Sequence, residues 1–166
     1  CVSHSLQRTA RQRILAGREL KGQVLDLGGT KDATYHPLFT GNPEFTVVNI
    51  DERYGYDLKF NVEEPFPIDD AQYDHIICLN LLEHIYNYHN VVQEGFRILK
   101  PGGTFLNFTP FLLAVHGSPY DFHRYTDSAL RRMFEEAGFV VESITPTGYG
   151  PLSVCYQFTY WLVPIA

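Results

Sequence analysis

Val24-Leu25-Asp26-Leu27-Gly28-Gly29 is a short apolar run closed by paired glycines, which reads as a buried strand entering a tight turn. Working outward, Phe45 to Ile50 is a second strand, rich in β-branched residues and ending at Asp51, and Tyr73 to Leu79 is a third with apolar residues on both faces. Continuous apolar strands belong to parallel sheets covered on both sides. From Tyr88 to Leu99, Tyr88, Val91, Val92, Phe96 and Leu99 recur at helical spacing, with Asn90, Gln93, Glu94 and Arg97 on the other face. Lys100-Pro101-Gly102-Gly103 has the residues of a type II turn, followed by a strand from Thr104 to Thr109. Thr126 is placed to cap a helix with the apolar stripe Leu130, Met133, Phe134 and Ala137, the charge pairs Arg131/Glu135 and Arg132/Glu136, and Gly138 at its end. Phe139 to Thr145 and Val154 to Leu162 are the closing strand candidates, expected as an antiparallel pair. The predicted fold is therefore α/β, a doubly wound and mostly parallel sheet with an antiparallel final strand, whose ligands bind outside the carboxyl ends of the strands. An amphipathic helix over Ser5 to Leu20 makes residues 1–22 a flanking segment, and 23–166 a single domain.

The chain has 166 residues, enough to bury a core unaided, and its net charge of -6 gives no basic face for a phosphate backbone, so nucleic acid is not an expected partner. Cys1, Cys78 and Cys155 are odd in number, without metal spacing, and read as a reduced, cytoplasmic set, with Cys78 a small core residue. Arg8, Arg11, Arg13 and Arg18 precede no apolar stretch and do not read as a secretory signal; the start at Cys1 rather than Met reads as a trimmed end. The aromatic run Tyr156 to Val163 is far short of the ~20 residues that span a bilayer, and a core strand is favoured there over membrane-surface contact.

Four segments in order carry a resemblance: Val24 to Gly29, Asp51 after the second strand, Tyr73-Asp74 through Leu82-Glu83-His84, and Leu99 to Gly103. With them, the chain resembles a class I, Rossmann-like S-adenosylmethionine-dependent methyltransferase over residues 23 to 145. The resemblance implies S-adenosylmethionine as cofactor, held by Asp26 at the ammonium end, Gly28 and Gly29 where the backbone passes the ligand, Asp51 on the ribose hydroxyls, Asn61 near the adenine and Asn80 beside the methionine part. The turn Gly28-Gly29-Thr30-Lys31 departs from the family's alternating glycines. It also lacks the G-x-G-x-x-G that a pyrophosphate needs, which counts against the alternative of an NAD-dependent oxidoreductase or epimerase. A non-catalytic methyltransferase-like binding module is the other alternative.

His116-Gly117-Ser118-Pro119-Tyr120-Asp121-Phe122-His123-Arg124-Tyr125-Thr126 resembles the His-Gly-x-Pro-x-Asp-x-x-Arg-Tyr-Thr segment of small-molecule and glycan-associated methyltransferases. That resemblance implies a small-molecule or glycan acceptor, with His116, Asp121, His123, Arg124 and Tyr125 facing it. An Asp121/Arg124 ion pair that fixes the loop is the structural alternative, and both roles are compatible. For a hydroxyl acceptor, His116 ranks first as catalytic base, ahead of His84 and Asp121; His84 is equally readable as a packing residue. Methyl transfer from a sulfonium requires no metal, and none is expected.

Overall fold

The computed structural model describes residues 6–117 and 119–146. Four strands, β1 (Gln23–Leu27), β2 (Glu44–Val48), β3 (Tyr73–Leu79) and β4 (Leu99–Phe108), form one parallel sheet in the order β2-β1-β3-β4. Asp26 pairs in register with Val47 on one side and Ile77 on the other. Because every pairing is parallel, the four carboxyl ends share one edge, where residues 28, 49, 80 and 109 emerge. Side chains alternate across the sheet. Leu25, Leu27, Ile76 and Cys78 enter a core with α2 (Tyr88–Ile98) and α3 (Asp127–Glu136), while Val24, Ile77 and Leu79 join Leu15 of α1 (Leu6–Leu15), Tyr35 and Phe39 on the opposite face. Each fully buried Leu or Ile here contributes about 1.5–3 kcal/mol relative to exposure.

The helices α2 and α3 form where expected, whereas the helix expected over Ser5 to Leu20 ends at Leu15, and Phe96, expected on the apolar face of α2, is exposed. Val91, Val92 and Ile98 are the buried face of α2. The Thr126 hydroxyl caps α3 by accepting from the Ala129 N–H, 3.2 Å, and Arg132 pairs with Glu136 at 2.7 Å. Three local expectations change. Lys100 to Gly103 does not precede β4 but interrupts it: Leu99 pairs with Tyr73 and Thr104 with His75, so the turn loops out between two ladder contacts, with Gly102 supplying the positive φ (81°) of its second corner. Between β1 and β2 the expected alternation with helices fails, since the polar 30–32 stretch and Pro37 support only a 3₁₀ turn, His36–Leu38. Residues 139–146 are irregular rather than a strand: the Phe139 N–H goes back to the Phe134 carbonyl (3.1 Å), Phe139 and Val141 pack on the core, and no ladder partner exists among the described residues. The antiparallel strand expected at Val154 to Leu162, with Cys1 and Cys155, lies outside the described residues. Cys78 is buried and free. Among the described residues, no helix is long and apolar enough to cross a membrane.

Candidate active site

The turn after β1 is built around a buried acid. Asp26 is fully buried, its Oδ2 accepting from the Tyr35 hydroxyl (2.7 Å) and lying 2.8 Å from Nε2 of His36, whose ring stacks on Phe45. Its Oδ1 is buried without a hydrogen-bond partner among the described residues. Burial, then the Asp26 carboxylate, pushes the Tyr35 hydroxyl far above its ordinary range. The paired glycines follow from this packing. Gly28 takes a positive φ (75°), and a Cβ on Gly29 would lie 2.0 Å from Asp26 Oδ2.

At the end of β2, the Asn49 side chain donates to the Gly29 carbonyl (2.7 Å) and accepts from the Asp51 N–H (2.9 Å). Asp51 receives both the Arg53 backbone N–H and its guanidinium, and these bonds hold its carboxyl down at about 2. The structure thus brings Asp26, Gly28, Gly29 and Asp51 to one edge, with Asn49 as the link. Asn61 stands in the loop before β3, where its Oδ1 accepts from the Glu63 N–H (3.1 Å) in a local turn, and no hydrogen bond joins it to this group.

Asn80 leaves β3 with φ 56°, donates its N–H to the Phe108 carbonyl, and accepts from Nη1 of Arg11 at 2.8 Å. Arg11 also lies over the Tyr35 ring, so α1 carries a cation to the edge where β1 and β3 end. Asn80 Nδ2 is 3.3 Å from Oε1 of Glu83, which is fully buried, its pKa raised by that burial. Glu83 Oε2 has no partner among the described residues.

Above this edge runs the 111–126 segment. Arg124 grips both oxygens of the nearly buried Asp121 (2.5 and 2.7 Å) and the carbonyls of Leu113, Ala114 and His123. Asp121 in turn accepts the His116 backbone N–H at 2.7 Å, and Arg124 holds its carboxyl far below the usual range. Phe122 and His123 donate their N–H groups to the Glu83 carbonyl, and the buried Tyr125 hydroxyl donates to Leu82. His123 lies among the rings of Tyr86, Tyr88 and Tyr125. The loop thereby places the His116 ring 5.1 Å from that of His84, edge to face.

Sequence reasoning gave no role to Glu83, Arg11, Asn49, Tyr35 or His36. Glu83 had a readable signal, an acid beside a histidine at a strand's carboxyl end. The partners of Asp26 come from a loop whose path no periodicity encodes.

A family model described as a methyltransferase domain matches residues 3–144. A ubiquinone biosynthesis O-methyltransferase of Thiobacillus denitrificans is 32% identical over 104 residues, covering 52% of this chain and 45% of that one. A protein of the same name from Chromobacterium violaceum is 27% identical over 166 residues, covering 89% and 66%. An S-adenosylmethionine dependent methyltransferase structure from Mesorhizobium loti aligns with TM-score 0.66 at 12% identity, covering 89% of this chain and 87% of that one, a likeness of fold. The chain thus spans about half to two thirds of the length of these two curated relatives. With the family match running from α1 through α3 over this parallel sheet, the chain belongs to the methyltransferase domain family.

Proposed function

We propose that this domain binds S-adenosylmethionine at the shared carboxyl edge of its strands and transfers the methyl group to a hydroxyl of a small-molecule acceptor, glycans included. The observation that carries the reading is the buried Oδ1 of Asp26, unpartnered among the described residues, beside a turn that no Cβ can enter. An orphaned carboxylate oxygen is costly, and an ammonium donor satisfies it. Gly28 and Gly29 leave the backbone open to the ligand, Asp51 is ionised for paired hydroxyl contacts, Asn80 borders the methionine part, and Asn61 is assigned to the adenine. When bound, the cofactor supplies a methyl group already electrophilic at its sulfonium, so the protein's work is alignment.

His116 is the residue we assign to activating the acceptor's hydroxyl, with His84 beside it. Asp121, held ionised by Arg124, acts as a positioning residue for the His116 backbone, and His123, Arg124 and Tyr125 support the acceptor side of the loop. Relatives named as O-methyltransferases support an oxygen acceptor. A free, buried Cys78 supports a cytoplasmic setting. The dinucleotide alternative is disfavoured because β1 runs into a loop and a 3₁₀ turn, leaving no helix N-terminus at the glycines for a pyrophosphate.

Calorimetric titration with S-adenosylmethionine, S-adenosylhomocysteine and NAD tests the reading. Binding of the first two alone is expected; NAD binding overturns it, and silence from all three selects the non-catalytic module. Once an acceptor is in hand, His116→Ala is expected to lower the transfer rate by roughly 10²- to 10⁴-fold with S-adenosylhomocysteine affinity retained. An undiminished rate removes His116 from the chemistry.

A further inference from the structure

Glu83, His84 and His116 come from the turn after β3 and from the loop above it, and one ligand atom from each lies within 4.8 Å of the others. Three features point beyond packing. Glu83 is fully buried, yet its Oε2 has no partner among the described residues. His84 Nδ1 is 2.6 Å from the Tyr120 carbonyl, which can only accept, so Nδ1 carries the hydrogen and Nε2 presents its lone pair, 3.8 Å from Glu83 Oε1. His116 is fixed from behind in the same way, by the Ala114 carbonyl at 3.2 Å and the Asp121 carboxylate at 3.3 Å from Nδ1. Carbonyl and carboxylate partners on the far side of a histidine are the outer layer that orients metal ligands. A buried carboxylate with one oxygen unpartnered among the described residues, grouped with two imidazoles held in this way, is a departure from the usual pairing of buried polar atoms.

We infer that Glu83, His84 and His116 bind one first-row divalent cation of the Zn²⁺ class, and that the acceptor's hydroxyl occupies an open position on it. Two imidazoles and one carboxylate suit such a cation, whereas Mg²⁺ and Ca²⁺ prefer all-oxygen shells, and three protein ligands leave room for a substrate oxygen. With the cation bound, His116 activates the hydroxyl as a ligand rather than as a base: the cation lowers the hydroxyl's pKa, so its proton passes to water. The oxygen lone pair then forms the new O–CH₃ bond while the C–S bond breaks, its electron pair staying on sulfur. This hydroxyl role rests on the methyltransferase reading; the cation site does not.

The test is calorimetric titration of chelator-stripped protein with ZnCl₂ and, separately, MgCl₂. One Zn²⁺ site and no Mg²⁺ binding are expected, with His84→Ala and His116→Ala each weakening Zn²⁺ by at least tenfold while S-adenosylhomocysteine still binds. Because substituting the buried Glu83 changes stability as well as ligation, the two histidine variants, whose side chains are partly exposed, carry the decision. Absence of Zn²⁺ binding by the parent, or equal binding by both variants, overturns the site. Zn²⁺ binding without S-adenosylhomocysteine binding upholds the site and overturns the hydroxyl role.

Discussion

Asp26 and Gly29 constrain each other, because the space a Cβ would take at 29 is filled by the acid's carboxylate. Gly29→Ala is therefore expected to lower the melting temperature and abolish S-adenosylhomocysteine binding together, and a variant that melts and binds like the parent would show the turn to be plastic. Asp51 separates the two effects. Its carboxylate is partly exposed and bonded to Arg53, so Asp51→Ala is expected to leave the melting temperature unchanged and weaken S-adenosylhomocysteine by roughly tenfold to a hundredfold, the range for lost charge-assisted contacts. Unchanged affinity would exclude it as the ribose acid. Glu83 behaves oppositely to both. Burial raises its folded pKa, so the stability linked to it is full below the unfolded value and is lost as pH rises through the folded one. Glu83→Gln removes that penalty, and in chelator at pH 8 its melting temperature should exceed the parent's. A lower value would mean that the carboxylate is stabilised by partners other than a metal.

The elements differ in how far their own residues specify them. All four strands were legible, because apolar runs bounded by glycine or polar residues need no knowledge of neighbours, and so were α2 and α3, whose stripes and cap are local signals. The interruption of β4 was not legible, since where a turn falls within a ladder is decided by the partner's register. Nor was the loop in place of a β1–β2 helix, whose ordering comes from Tyr35 and His36 binding Asp26 across the sheet face. At the site, strand-end residues such as Asp26 and Asp51 were findable from position, whereas Glu83 gains its meaning only when the 111–126 loop carries His116 over it. That loop is held mainly by Arg124, which ties Asp121 to the Leu113 and Ala114 carbonyls. Arg124→Ala should leave Asp121 without its main partner and speed proteolytic cleavage between residues 111 and 124, with α3 intact by circular dichroism. Unchanged cleavage would show that the N–H bonds of Phe122 and His123 to Glu83 suffice to hold the loop.

Across the described residues, ion pairs act within loops, within α2 and between neighbouring strands, and none of those named here joins one helix to another. Lys31 bonds Asp57, Lys100 bonds Asp74 before β3 continues, Arg97 bonds Glu94 on α2, and Arg124 bonds Asp121. In each case the side-chain bond from the cation is the largest influence and lowers the acid's pKa in the folded chain. A carboxyl with a depressed folded pKa stabilises the fold fully above its unfolded value, near 4, and that contribution is lost as pH falls through the folded value. Glu83 runs the other way, but among the described carboxyls it is one raised group against six lowered ones, Asp51 and Glu52 being the other two. The urea midpoint is thus expected to hold between pH 7 and 5 and to fall steadily from about pH 4 toward pH 2, where the unfolded chain binds the extra protons. Added salt distinguishes the contributors: pairs at the surface, such as Lys31–Asp57, are screened at 1 M, whereas the nearly buried Asp121 is screened much less. Acid sensitivity should therefore shrink in salt without vanishing in the parent, and the part that survives should disappear in Asp121→Asn. A midpoint flat down to pH 3 would mean that these carboxylates titrate alike in the folded and unfolded chains, and that their bonds to cations are not maintained in solution.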